Sequence, residues 1–174
     1  KVRYTPHLNF NSDEEDSFQY KCKDSSDEES NTATVSILVT PVNDAPIWKP
    51  LPAADLDEDF KTFTHIKDLS EYTTNPDKDE TLTFSITKED RRKVDCRIDD
   101  NKLILRSIKN WHGTTTCTIK ADDNEGKESE TTLTINVGEV NDGPTLNPIG
   151  PKSIKEDQTL TFRVSATDPD GDKL

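Results

Sequence analysis

Apolar residues are scarce: 29% of the 174 residues are hydrophobic and 6% aromatic, methionine is absent and tryptophan occurs twice. No run of about 18 apolar residues is present to span a bilayer as a helix, so direct membrane insertion is not expected. Lys1 to Thr5 does not have the character of a signal peptide. Positive charge is also in deficit, with 22 Lys and Arg against 35 Asp and Glu and a formal net charge of −13. A phosphate backbone calls for a concentrated basic face, so nucleic acid is not an expected partner. Cysteine occurs three times. The odd number leaves at least one thiol unpaired within the chain. No Gly-x-Ser-x-Gly, phosphate loop or Cys/His couple is found. His7, His65 and His112 lie far apart without metal-ligand spacing. No catalytic activity is expected.

With 33% charged residues the composition lies near that of chains too polar to fold. The pattern argues otherwise. Apolar residues come in short alternating runs, which place one side of each strand inward. Thr131-Thr132-Leu133-Thr134-Ile135-Asn136-Val137 puts Leu133, Ile135 and Val137 on one face, and Ala33-Thr34-Val35-Ser36-Ile37-Leu38-Val39 is its counterpart. Strands are predicted at 60–66, 81–88, 92–98, 102–107, 114–121 and 129–137, and no segment carries a helical period. Asp99-Asp100-Asn101 and Asp122-Asp123-Asn124-Glu125-Gly126 have the residue types that hairpin turns require.

The chain also repeats itself. Pro41-Val42-Asn43-Asp44-Ala45-Pro46 returns 98 residues later as Glu139-Val140-Asn141-Asp142-Gly143-Pro144, and Glu58-Asp59 returns at the same offset as Glu156-Asp157. Asn75-Pro76-Asp77-Lys78-Asp79 matches Asp168-Pro169-Asp170-Gly171-Asp172, with five fewer residues before the later copy. Three motifs recurring in one order indicate tandem units. The register predicts the back half of one repeat over 1–44, a complete repeat over 45–142 and the front of a third over 143–174.

The linker Val42-Asn43-Asp44-Ala45-Pro46 and its copy resemble the linkers that join cadherin and cadherin-like repeats. Ser165-Ala166-Thr167-Asp168-Pro169-Asp170-Gly171-Asp172 resembles the acidic motif near the start of such repeats, and Asp16-Ser17-Phe18-Gln19-Tyr20 their back half. The resemblance covers nearly the whole chain. It implies an all-β fold of tandem antiparallel β-sandwich repeats, cadherin-like or Ig-like, with one repeat complete and two partial. It also implies an extracellular or cell-surface location and a role as stalk, spacer or adhesion module. The expected partners are neighbouring repeats of the same or identical chains and a protein or glycan ligand. A filament building block and a set of accessory repeats of a large secreted enzyme are the alternatives.

Cadherin junctions hold calcium, which takes six to eight oxygen ligands from carboxylates, amides and carbonyls. Carried over, the first junction would draw on Asn43, Asp44, Asn75 and Asp77 with Asp122 or Asp123. The second would draw on Glu58, Glu139, Asn141, Asp142, Asp168 and Asp170. The chain departs from the cadherin pattern at Pro41, Ala45, Asn75 and Gly143, and lacks a carboxylate between Leu105 and His112. At most one calcium per junction is expected, against solvated turn residues as the alternative.

Cys96 alternates with Val94 and Ile98, and Cys117 with Ile119, so both are expected in one core. A bridge would close a loop of about 20 residues and contribute roughly 3 kcal/mol, with two buried thiols as the alternative. Cys22 follows Phe18 and Tyr20 on one strand face and is expected in the core as well, with pairing to another molecule as the alternative because it stands near the strand end. Trp111, at the position of Phe10, is expected as a core anchor.

Overall fold

A computed structural model describes residues 1–11, 15–77 and 81–174. Lys78 and Asp79 of the first acidic motif lie outside them. Strands β1 (Asp16–Tyr20) and β2 (Ala33–Ile37) come first. Then follow β3 (Ile47–Trp48), β4 (Ala54–Asp57), β5 (Thr62–Ile66), β6 (Thr73–Thr74) and β7 (Thr83–Lys88). Strands β8 (Val94–Asp99), β9 (Lys102–Ser107), β10 (Gly113–Asp122) and β11 (Glu128–Gly138) complete the central region. Strands β12 (Thr145–Leu146) and β13 (Ala166–Thr167) end the series. A 3₁₀ turn, Leu69–Tyr72, is capped by the Asp68 carboxylate, which accepts from the Ser70 N–H. Among the described residues no helix is long and apolar enough to cross a membrane.

The protein is all-β. One sheet has the order β4-β11-β10-β7 and the other β5-β9-β8. The alternation read from the sequence decides which side chains meet between them. Cys117, Ile119, Leu133 and Ile135 point inward from the first sheet, Val94, Cys96, Leu103 and Leu105 from the second, and the fully buried Leu69 of the 3₁₀ turn joins them. Each such side chain contributes about 1.5–3 kcal/mol by leaving water. Asp100 and Asn101 take positive φ at the β8–β9 turn, as do Asn124 and Gly126 at the β10–β11 turn. These are the conformations that Asn, Asp and Gly adopt at least strain.

Cys96 and Cys117 form a disulfide that ties the two sheets, with Cα atoms 6.7 Å apart. The Glu89 carboxylate lies beside it and accepts from the Cys96 N–H at 2.8 Å. Trp111 packs against the core with the Lys93 ammonium 5.9 Å from its ring.

Several features differ from the sequence expectation. Strand β4 pairs in parallel with β11, so the sandwich is not wholly antiparallel. Strands β3 and β6 have only two residues each, too few to alternate, and β4 alternates over only four, Ala54-Asp55-Leu56-Asp57. Cys22 is exposed and lies beyond the end of β1, and Tyr20 is 49% exposed. Strands β1 and β2 form a two-stranded ribbon. Alternation gives Cys22 a face, but burial needs a second sheet over that face.

Candidate cation sites at the linker junctions

Each linker is held by the acidic motif that follows it, through the same bond. The Asp44 N–H donates to Asp77 Oδ2 at 2.7 Å, and 98 residues later the Asp142 N–H donates to Asp170 Oδ2 at 2.6 Å. The motifs are themselves turned alike: the Asp77 N–H donates to Asn75 Oδ1 and the Asp170 N–H to Asp168 Oδ1. Neighbouring backbone repeats the pattern, with Ile47 opposite Thr74 in one copy and Thr145 opposite Thr167 in the other. Lys49 N–H donates to Tyr72 O, and Asn147 N–H to Ser165 O.

At the first junction Asn43 Nδ2 donates to the Glu125 carbonyl at 3.2 Å. Asp123, only 1% exposed, accepts through Oδ1 from the Glu125 and Lys127 N–H groups. Burial opposes its ionisation. The bonds that Oδ1 accepts from the Lys127 and Glu125 N–H groups lead the effects that outweigh burial and hold its pKa below the ordinary carboxylate value. Asp122, the other residue expected from this hairpin, is turned toward Lys120 at 3.4 Å and caps the Asn124 N–H. The strand's own alternation separates the two, since Cys117, Ile119, Ala121 and Asp123 are buried in turn.

At the second junction Glu58 is 6% exposed and accepts through Oε1 from the Val140 N–H at 2.7 Å. Asn110 donates from Nδ2 to Asp142 Oδ2 at 2.8 Å, while its backbone N–H donates to Asp59 Oδ1. Asp59 and Asn110 belong to this cluster as well, although the candidate ligands expected from the sequence do not include them. Asn110 stands in the segment where a carboxylate was sought, with φ of 55°, and supplies an amide instead. Glu139, Asn141, Asp170 and Asp172 line a cleft of about 270 Å³ beside it. Glu139 also faces His112 at 3.9 Å. Burial, then the charges of Asp170, Asp59 and Glu58, raise the Asp142 pKa, and Lys109 offsets them in part.

Three buried side-chain oxygens in these clusters have no hydrogen-bond partner among the described residues: Asn43 Oδ1, Asp123 Oδ2 and Glu58 Oε2. All three are acceptors only, so a cation or a donor is what each lacks. The donor set is entirely oxygen, which suits calcium.

No protein-family model matches the sequence, and no curated protein matches it either. Among solved structures, protocadherin gamma B7 extracellular cadherin domains 1–4 align with 90% of this chain and 41% of their own at a TM-score of 0.56 and 18% identity. Protocadherin gamma B2 extracellular cadherin domains 1–5 align with 92% of this chain and 39% of theirs, at 0.51 and 15%. An endo-fucoidan hydrolase from glycoside hydrolase family 107 aligns with 74% of this chain and 20% of its own at 0.44 and 16%. The chain thus spans about two fifths or less of each of these three structures, and it has a cadherin-like fold.

Proposed function

We propose that the chain is a non-catalytic, extracellular run of tandem repeats, over 1–44, 45–142 and 143–174, that serves as a stalk, spacer or adhesion module. Its Val-Asn-Asp-x-Pro linkers would be stiffened by calcium. The observation that carries this reading is the trio of buried, unpartnered oxygens on Asn43, Asp123 and Glu58 beside the two linkers. An inter-sheet disulfide agrees with an oxidising compartment.

Asn43, Asp44, Asn75, Asp77 and Asp123 would hold the ion at the first junction. Glu58, Asp142, Asp168 and Asp170 would hold it at the second, with Asp59, Glu139 and Asn141 at its rim. Calcium supplies positive charge that offsets the repulsion among these carboxylates. The chain's own contribution is the linker bond to the acidic motif, which fixes where each linker leaves the sandwich.

Extracellular calcium modules bind with dissociation constants of roughly 10⁻⁴ to 10⁻³ M. At about 5 mM calcium, mass action then stabilises each site by roughly 1–2 kcal/mol, or about 4–8 °C in melting temperature per kcal/mol for a small domain. The substitution Asp142→Asn should have opposite signs in the two conditions. A carboxylate whose folded pKa is raised weakens the fold once ionised, and the penalty fades as pH falls through that raised value. In chelator at neutral pH, Asp142→Asn therefore raises the melting temperature. In calcium it lowers it, because a ligand is lost. Equal melting of the parent protein in calcium and chelator, with no heat of binding by calorimetry, would contradict the reading.

A further inference from the structure

The acidity of the whole chain conceals a basic cleft. Lys61, Arg91, Arg97, Arg106 and Lys109 line one open cavity of about 780 Å³ on the outer side of the β5-β9-β8 sheet. Only two carboxylates, Asp59 and Asp95, share its walls. A second trough of about 380 Å³ continues it and shares Thr62, Asp95, Arg97 and Arg106. Strand pairing builds the cluster: Arg106 lies opposite Thr62 on one side and Asp95 on the other, which makes Arg97 its diagonal neighbour. Such diagonal positions are about 7–8 Å apart.

Two of the arginines are held in place from beneath. The mostly buried Asp95 carboxylate binds Arg97 at 2.8 Å, and Glu89, also mostly buried, binds Arg91. The guanidinium side chains remain 63% and 75% exposed. They are oriented but open to a ligand, which lowers the ordering cost of binding. Lys61 and Arg106 make no ion pair among the described residues. Their charge is available to a partner.

We propose that this cleft binds a sulfated polysaccharide. Guanidinium forks match the flat faces of oxyanions and are weakly hydrated, and three of the five cations are arginines. A protein partner would seek an aromatic anchor, and a single-stranded nucleic acid a stacking platform. The cleft is lined by neither kind of ring; its apolar wall is aliphatic, with Ile108 in the main cavity and Ile98 and Ile104 in the trough. An extended polymer with a charge on each unit needs only a row of cations along a trough. The −13 net charge does not prevent this, because at physiological salt it is screened beyond about 8 Å. The assignment rests on the adhesion-module reading and gives that module a ligand class. It does not depend on the junction cations.

The test uses the full chain at physiological salt in chelator, so that loss of calcium does not enter, with fluorescent dextran sulfate as the probe. Dextran sulfate should bind. Lys61→Glu with Arg106→Glu should weaken binding at least tenfold, and the neutral pair Lys61→Gln with Arg106→Gln at least fivefold, with melting temperatures near the parent's. Lys155→Glu, outside the cleft, should change binding less than twofold. Neutral dextran, polyglutamate and oligothymidylate should bind at least tenfold more weakly than dextran sulfate. No binding of dextran sulfate, binding indifferent to both pairs, or equal binding of polyglutamate or oligothymidylate would overturn the proposal.

Discussion

Leu133→Ala should destabilise the protein by about 2–5 kcal/mol, measured by urea unfolding followed through the fluorescence of Trp48 and Trp111. Leu133 is fully buried at the middle of β11, opposite Cys117 on β10. Truncation there removes transfer free energy and leaves a cavity that the disulfide beside it keeps from collapsing. The neighbouring Thr134→Ala, on the exposed face of the same strand, should stay within about 0.5 kcal/mol. Both truncate a single side chain of the same strand to alanine, one on each face, so the contrast tests the inward face directly. A Leu133→Ala loss below about 1 kcal/mol would mean that the two sheets do not pack as described.

Loss of the Cys96–Cys117 bridge should be of similar size. The cysteines are 21 residues apart, and the chain-entropy model assigns such a loop about 3 kcal/mol. Cys96 lies opposite Leu105 on β9 and Cys117 opposite Leu133 on β11, so the link joins the two innermost layers of the core. Reduction isolates the effect of the cross-link, because the two sulfurs keep their volume. Cys96→Ala with Cys117→Ala should cost somewhat more, since packing is lost as well. Cys22→Ser, at an exposed position, should leave the urea midpoint unchanged. An unchanged midpoint in reductant, with both thiols shown free by mass, would contradict the stabilising role.

The long strands were legible because alternation is a local signal. Strand β9 spans Lys102–Ser107, the interval expected, and β10 and β11 extend only a residue beyond the expected bounds at each end. The linker and acidic motifs were legible because they recur. The choice between Asp122 and Asp123 stayed open in the sequence, and the structure resolves it: Asp123 continues the buried series of Cys117, Ile119 and Ala121. Asp59 and Asn110 were not legible as partners of Asp142, because they meet only through the folding of separate loops. The five cations of the basic cleft are spread from position 61 to 109 and gather only when β5, β8 and β9 pair. Composition had argued against any concentrated basic face. Net charge averages over the chain, whereas a ligand meets one surface of it.

Hydrogen–deuterium exchange in calcium and in chelator tests the junction account most directly. The Asp44 and Asp142 N–H groups donate to the carboxylates of Asp77 and Asp170, so their exchange reports whether each linker is held. The account predicts that millimolar calcium slows exchange at 43–44 and 123–127, and at 140–142 and 168–172, while the centres of β9, β10 and β11 are unchanged. Exchange at both linkers that is the same with and without calcium would contradict it.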